Sequence, residues 1–206
     1  MGRARDIANV LSSSTNIALD SELGLSLITP TSVATTGGSA TISSTGAVSF
    51  TSASAISLND VFSATYQNYK IVFTSTSVTS VVASNLRMRM RVGGSDNTGS
   101  NYKFGMTQFA GAYDDNQTST SATSMMLHRY LRADGVYGNF EVYNPFATNY
   151  TGVYSTSLNP NYGVTSGCFS YASTTVTTSY TGFTLLIDNS SGELITGTLR
   201  VYGYRN

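Results

Sequence analysis

Tryptophan is absent from this chain, and cysteine and histidine occur once each. A lone Cys168 excludes an internal disulfide. One histidine and one cysteine also fall short of the roughly four nitrogen and sulfur ligands of a structural zinc site. Charge is scarce: Lys+Arg and Asp+Glu number 11 each, and charged residues make up 11% of the chain, against about 25% in ordinary domains. A neutral, charge-poor chain has no long-range field to gather a polyanion, so nucleic acid is not an expected partner. No run approaches the roughly 18 apolar residues of a membrane-crossing helix, and no membrane insertion is expected. The opening "MGRARDIANVL" lacks the apolar stretch of about 7–15 residues that marks a signal peptide. The expectation is synthesis in a cytoplasm without processing.

What the chain does have is Ser and Thr at about three residues in ten, with 19 Gly and 14 Tyr. Hydrophobic residues at 40% supply a core, and a Ser/Thr/Tyr/Val profile suits pleated, half-buried strands. From residue 40 onward, strand-like segments follow one another. "ATISSTGAVSF" reads as a hairpin turning at Thr45-Gly46, and "YKIVFTST", "LRMRMRV", "NYKFGMTQF", "MMLHRYLR", "YGNFEVYN", "GCFSYAS", "GFTLLID" and "LITGTLRVYGY" come after it. Turn-forming clusters such as "GGSDNTGS" and "DNSSGE" separate them. About ten closely spaced strands predict an antiparallel β-sandwich or jelly roll over residues 38–206. Residues 1–37 read differently. Ile7, Val10 and Leu11 have helical spacing, "SELGLSLITP" is short and apolar, and "TTGGS" offers a joint. This segment is expected to be an extended docking arm. Its contacts with a larger assembly or with other subunits would come from Arg3, Arg5, Ile7, Val10, Leu11, Leu25 and Leu27.

"NLRMRMRVGG" concentrates three arginines in seven positions. In a strand the side-chain period is two, so Leu86, Met88, Met90 and Val92 share one face while Arg87, Arg89 and Arg91 share the other. Such alternation predicts a core face and an outward face. Three like charges in a row call for compensation, from carboxylates on adjacent strands such as Glu141 or from a partner subunit. Three readings stay open: the polar half of an ordinary strand, a subunit contact, or a site for an anion such as phosphate or an acidic sugar.

Candidates for chemistry are few. A Ser-His-Asp system would have to use His128, which lies in an apolar strand-like segment without a nucleophile elbow. Asp114 and Asp115 are adjacent in a turn-like loop, and nothing selects a catalytic pair from Asp96, Asp134 or Glu141. No Gly-rich phosphate loop opens a helix, and no catalytic residue, metal or cofactor is expected. Tyrosine combines a flat apolar face with a polar tip, suiting protein or sugar contacts. Tyr113, Tyr137, Tyr150 and Tyr162 are the candidate glycan contacts.

The order of segments resembles bacteriophage minor tail and tail-fibre-like virion proteins of the kind carried by phages of marine bacteria. The likeness rests on a short hairpin followed by Phe62, Ser63, Tyr66, Asn68, Tyr69, Lys70, Ile71 and Val72, on Leu86–Arg89, on Asn144, Pro145 and Phe146, and on Ile195, Gly197, Val201, Tyr202 and Gly203. The opening "MGRARDIANVL" is similar to the N-termini of such proteins. The resemblance implies a non-enzymatic virion subunit with a surface-exposed β-rich domain. It would associate with other virion proteins and with copies of itself, a trimer above all, and in some cases with a host-surface glycan. Against the tail-associated role stand a capsid decoration protein and a carbohydrate-binding module.

Overall fold

The computed structural model describes residues 24–79, 84–110, 113–131, 133–160, 166–188 and 192–205. Among them there is no helix. Sixteen strands follow in order: β1 (Leu25–Ile28), β2 (Ser32–Thr36), β3 (Ser39–Ile42), β4 (Val48–Ala53), β5 (Ala55–Asn59), β6 (Asn68–Val78), β7 (Asn85–Val92), β8 (Ser95–Asp96), β9 (Tyr102–Ala110), β10 (Tyr113–Ala122), β11 (Met125–His128), β12 (Val136–Tyr143), β13 (Gly152–Asn159), β14 (Ser166–Thr174), β15 (Gly182–Asp188) and β16 (Ile195–Tyr204). They build two antiparallel sheets packed face to face. The large sheet runs β10-β9-β14-β13-β12-β6-β16-β4-β3, with β1 added to β16. The small sheet runs β11-β7-β15-β5-β2, with β8 added to β7.

The core between the sheets is aliphatic and aromatic. Phe62 bridges them, its ring 4.7 Å from Tyr69 of the large sheet and 5.7 Å from Phe183 of the small one. Phe50, Ile71, Phe73, Phe140, Leu199 and Val201 meet Ile56, Leu58, Met88, Met90 and Leu185 in one continuous cluster. The expected β-sandwich is therefore the observed architecture. The hairpin at Thr45-Gly46 forms between β3 and β4, with Gly46 at a φ of 83°.

The boundary of the sandwich moves toward the N-terminus. Residues 25–36, expected to belong to a docking arm, are strands of the domain itself. β1 pairs with β16 through Leu25↔Tyr204 and Leu27↔Tyr202, next to the stretch of β16 that β4 leaves unpaired. β2 pairs with β5. Main-chain ladders make these short polar strands cohere, and Ile28 and Val33 pack on the core. "TTGGS" is correspondingly a crossing between sheets, from β2 in the small sheet to β3 in the large. Gly38 sits at a φ of 53°, and a Cβ there would lie 1.8 Å from the Thr51 carbonyl oxygen, so only glycine fits. The rest of the expected arm, with Arg3, Arg5, Ile7, Val10 and Leu11, lies outside the described residues.

Candidate docking surface

Strands β13 and β14 alternate between small polar and large apolar residues, and the large ones face out. Ser155, Ser157, Ser170 and Cys168 are buried, whereas Tyr154, Leu158, Phe169 and Tyr171 are exposed. The cause lies across the sandwich. β11 is the edge of the small sheet and, among the described strands, pairs with β7 alone, so the carbonyls on its other side need hydrogen-bond donors. The serines supply them. Ser155 Oγ donates to the Leu127 carbonyl at 3.0 Å and Ser157 Oγ to the same oxygen at 3.3 Å, while Ser170 Oγ donates to Met126. Gln108 of β9 donates its amide to the Arg129 carbonyl at 3.2 Å. A main chain held this close leaves room for hydroxyls and no room for rings, and the alternation then carries the aromatics to the opposite face.

The result is a continuous apolar field on the outside of the large sheet. Tyr137 and Tyr143 of β12, Tyr154 and Leu158 of β13, Phe169 and Tyr171 of β14 and Phe109 of β9 are between 41% and 69% exposed. Cross-strand register lines them up as Tyr137↔Leu158↔Gly167↔Phe109 and as Glu141↔Tyr154↔Tyr171↔Gly105. Phe109 and Phe169 meet edge to face at 6.0 Å. Tyr171 lies over Gly105, where an added Cβ would come within 2.4 Å of the phenol oxygen; the missing side chain keeps this part of the surface flat. Across β6 and β16 the same face continues to Leu27 and Leu25, both more than a third exposed. Within it Lys70 and Glu141 neutralise each other, Lys70 Nζ lying 3.4 Å from Glu141, while Asp114, Lys103 and Arg200 are exposed on the same face. Tyr204 donates to Glu141 at 2.6 Å. Desolvation and this carboxylate push the Tyr204 phenol up to about 12, so it stays a neutral donor.

The opposite face, on the small sheet, carries the arginines. Leu86, Met88 and Met90 are fully buried as the alternation predicts, whereas Val92 at the strand end is 43% exposed. Compensation comes from residues other than Glu141. Arg87 Nε lies 2.7 Å from Asp188 Oδ2, an ion pair without the alignment of a hydrogen bond. Arg91 pairs with Asp96 of β8, and also donates to Asn59 Oδ1 at 3.1 Å and Thr184 Oγ1 at 3.0 Å. Arg89 donates from Nε to the Thr123 carbonyl at 3.1 Å and has no acidic partner among the described residues.

His128 is fully buried on β11, with Nδ1 2.8 Å from Ser157 Oγ and Nε2 without a partner among the described residues. Desolvation holds its pKa down at about 3, so the ring is neutral. Buried beside a serine that caps a main-chain carbonyl, it is out of reach of any substrate. Cys168 beside Ser157 is likewise buried, its thiol pushed up to about 11 by desolvation and therefore unreactive.

Of the tyrosines singled out for glycan contact, Tyr137 lies on the apolar field and Tyr150 is exposed in the β12–β13 loop. The side chain of Tyr113 and the whole of Tyr162 lie outside the described residues. Tyr171, Phe109 and Phe169 are not among the candidates, because alternation along β9 and β14 does not say which face turns out, and cross-strand register is what brings these residues beside Tyr137, Tyr154 and Leu158. The motif residues behind the resemblance are structural in this fold. Tyr69 accepts from the Ser63 amide at 2.7 Å and donates to the Ser63 carbonyl at 2.9 Å. Gln67 and Asn144 bond through both side chain and main chain, tying the β5–β6 connection to the "NPF" corner. No family model, curated protein or solved structure matches the chain.

Proposed function

We propose that this chain is a non-enzymatic structural subunit of a bacteriophage virion, tail-associated, that docks on its neighbours through the outer face of the large sheet. The observation that carries the reading is the apolar field itself. Seven large side chains on four adjacent strands present surface that a lone domain would cover. Side chains of this size span about 150–250 Å² each; at roughly half exposure the seven offer ~700 Å², close to the ~800 Å² that each partner contributes to a stable interface. Charge is sparse across the field: Lys70 and Glu141 neutralise each other within it, and Asp114, cross-strand from Phe109, and Lys103 of β9 lie toward its edge. Phe109, Phe169 and Leu158 have no polar tip, which favours a protein over a sugar as the occupant.

The test is incorporation. Phages carrying F169E/Y171E should lack this subunit, while the purified variant melts within about 2 °C of the parent. Gold labelling of parental particles then separates a tail position from a capsid-shell position. A folded double variant that still enters particles at the parental copy number overturns the docking role. A glycan array that binds the parent and spares F169E/Y171E would transfer the face to a carbohydrate-binding module.

A further inference from the structure

Between β7 and β15 of the small sheet and the end of β10, Arg89 opens into a pocket of about 350 Å³, whose wall includes Arg87, Ser121, Thr123, Ser124 and Asp188. Arg87 and Arg89 stand two residues apart on one face of β7, ~7 Å from each other by strand rise. Asp188 already pairs with Arg87, and Arg91 is taken up by Asp96, Asn59 and Thr184. Of the three arginines, Arg89 is the one without an acidic partner among the described residues. Its Nε bond to the Thr123 carbonyl orients the guanidinium against the β10–β11 loop and leaves the four Nη protons without a partner among the described residues. The end of β10 and that same loop bring Ser121, Thr123 and Ser124 to the pocket wall.

From this arrangement we infer that the pocket binds a carboxylate group. Two arginines against one aspartate leave a local charge of +1, which a singly charged carboxylate balances and a phosphate dianion exceeds. A planar guanidinium edge matches a planar carboxylate with two parallel hydrogen bonds, and the hydroxyl wall supplies donors for the outer lone pairs. Because the whole chain is neutral, recognition is local and gains no long-range steering. None of the pocket's lining residues belongs to the apolar field, although the pocket wall includes the end of β10 of the large sheet.

Titration of the full chain with sodium acetate, followed by amide NMR against sodium chloride at matched ionic strength, tests the inference. Saturable shifts confined to residues 121–124 and to β7 and β15 are expected. R89Q should raise the acetate dissociation constant at least tenfold. R89K keeps the charge but loses the fork, and should weaken binding at least threefold; it decides the matter if R89Q fails to fold. Glucuronate provides the second arm. Binding at least tenfold tighter than acetate identifies a sugar acid as the source of the carboxylate, while equal binding identifies an acidic side chain or terminus of a neighbouring subunit. Acetate shifts that match chloride, an unchanged R89Q, or tighter binding of inorganic phosphate than of acetate overturns the site.

Discussion

Protonating His128 would place a charge in a fully buried position, beside a serine and with no carboxylate partner among the described residues. Its folded pKa of about 3 lies below the unfolded value near 6.5. The folded state therefore binds fewer protons than the unfolded state between these values. Stability attributable to this group is full above about pH 6.5 and falls as pH drops, by up to ~1.4 kcal/mol per unit. Between pH 6.5 and 5 most carboxylates remain ionised, so the melting temperature of the parent should fall about 5 °C further than that of H128Q. Parallel melting curves for the two proteins would show that His128 carries no such linkage. At the same scale, Met88 and Met90 are fully buried on the core side of β7. Met88→Asp or Met90→Asp buries an unpaired carboxylate and should cost ~3 kcal/mol or more. For a domain of this size that lowers the melting temperature by about 10 °C. Arg89→Ala should leave the domain folded, and so should Arg87→Ala, although it removes a guanidinium 5.7 Å from the Phe104 ring of β9.

Among the elements, β1 and β2 have the least sequence contrast and the most to reveal. Each is four or five residues of mixed polarity with a single anchoring side chain, Ile28 or Val33. β1 covers the lower half of β16, and β2 is the last strand of the small sheet. Comparing a deletion of residues 2–22 with a deletion of residues 2–36 isolates their contribution. The longer deletion should melt at least about 8 °C below the shorter, because it uncovers ladder groups on β16 and β5 and apolar surface beneath them. Equal melting temperatures would mean that the two strands only decorate the sheet edges. β11 is the opposite case. Its sequence, "MMLH", reads as plainly apolar, and all four residues are buried. Its larger effect is exerted through main-chain oxygens, which select serine on β13 and β14.

For the whole molecule, the two outer faces differ in kind. The large sheet presents phenyl and phenol rings, and the small sheet presents guanidinium groups and hydroxyls. A zero net charge gives no repulsion between copies, so the apolar field should drive self-association. Sedimentation velocity of the parent is expected to show species above the 21.8 kDa monomer that grow with concentration and vanish in F169E/Y171E. A parent that stays monomeric at high concentration would leave the field to a different protein as partner.

Three features are legible in the residue order alone: the all-β class, the apolar and cationic faces of β7, and the hairpin turn at Thr45-Gly46. These follow from local physics: a side-chain period of two, strand propensity, and a glycine where φ must be positive. Tertiary structure decided the rest. Alternation along "GVYSTSLN" and "SGCFSYAST" states that two faces differ without stating which one turns inward. The unpaired side of β11, distant in sequence, settled that by demanding hydroxyl donors, so serine went in and the rings went out. Register, again a long-range property, then gathered Tyr137, Leu158, Phe109, Phe169 and Tyr171 from four strands into one surface. Likewise, only the pairing of β7 with β15 and β8 showed that Arg87 and Arg91 have carboxylate partners and that Arg89 has none among the described residues.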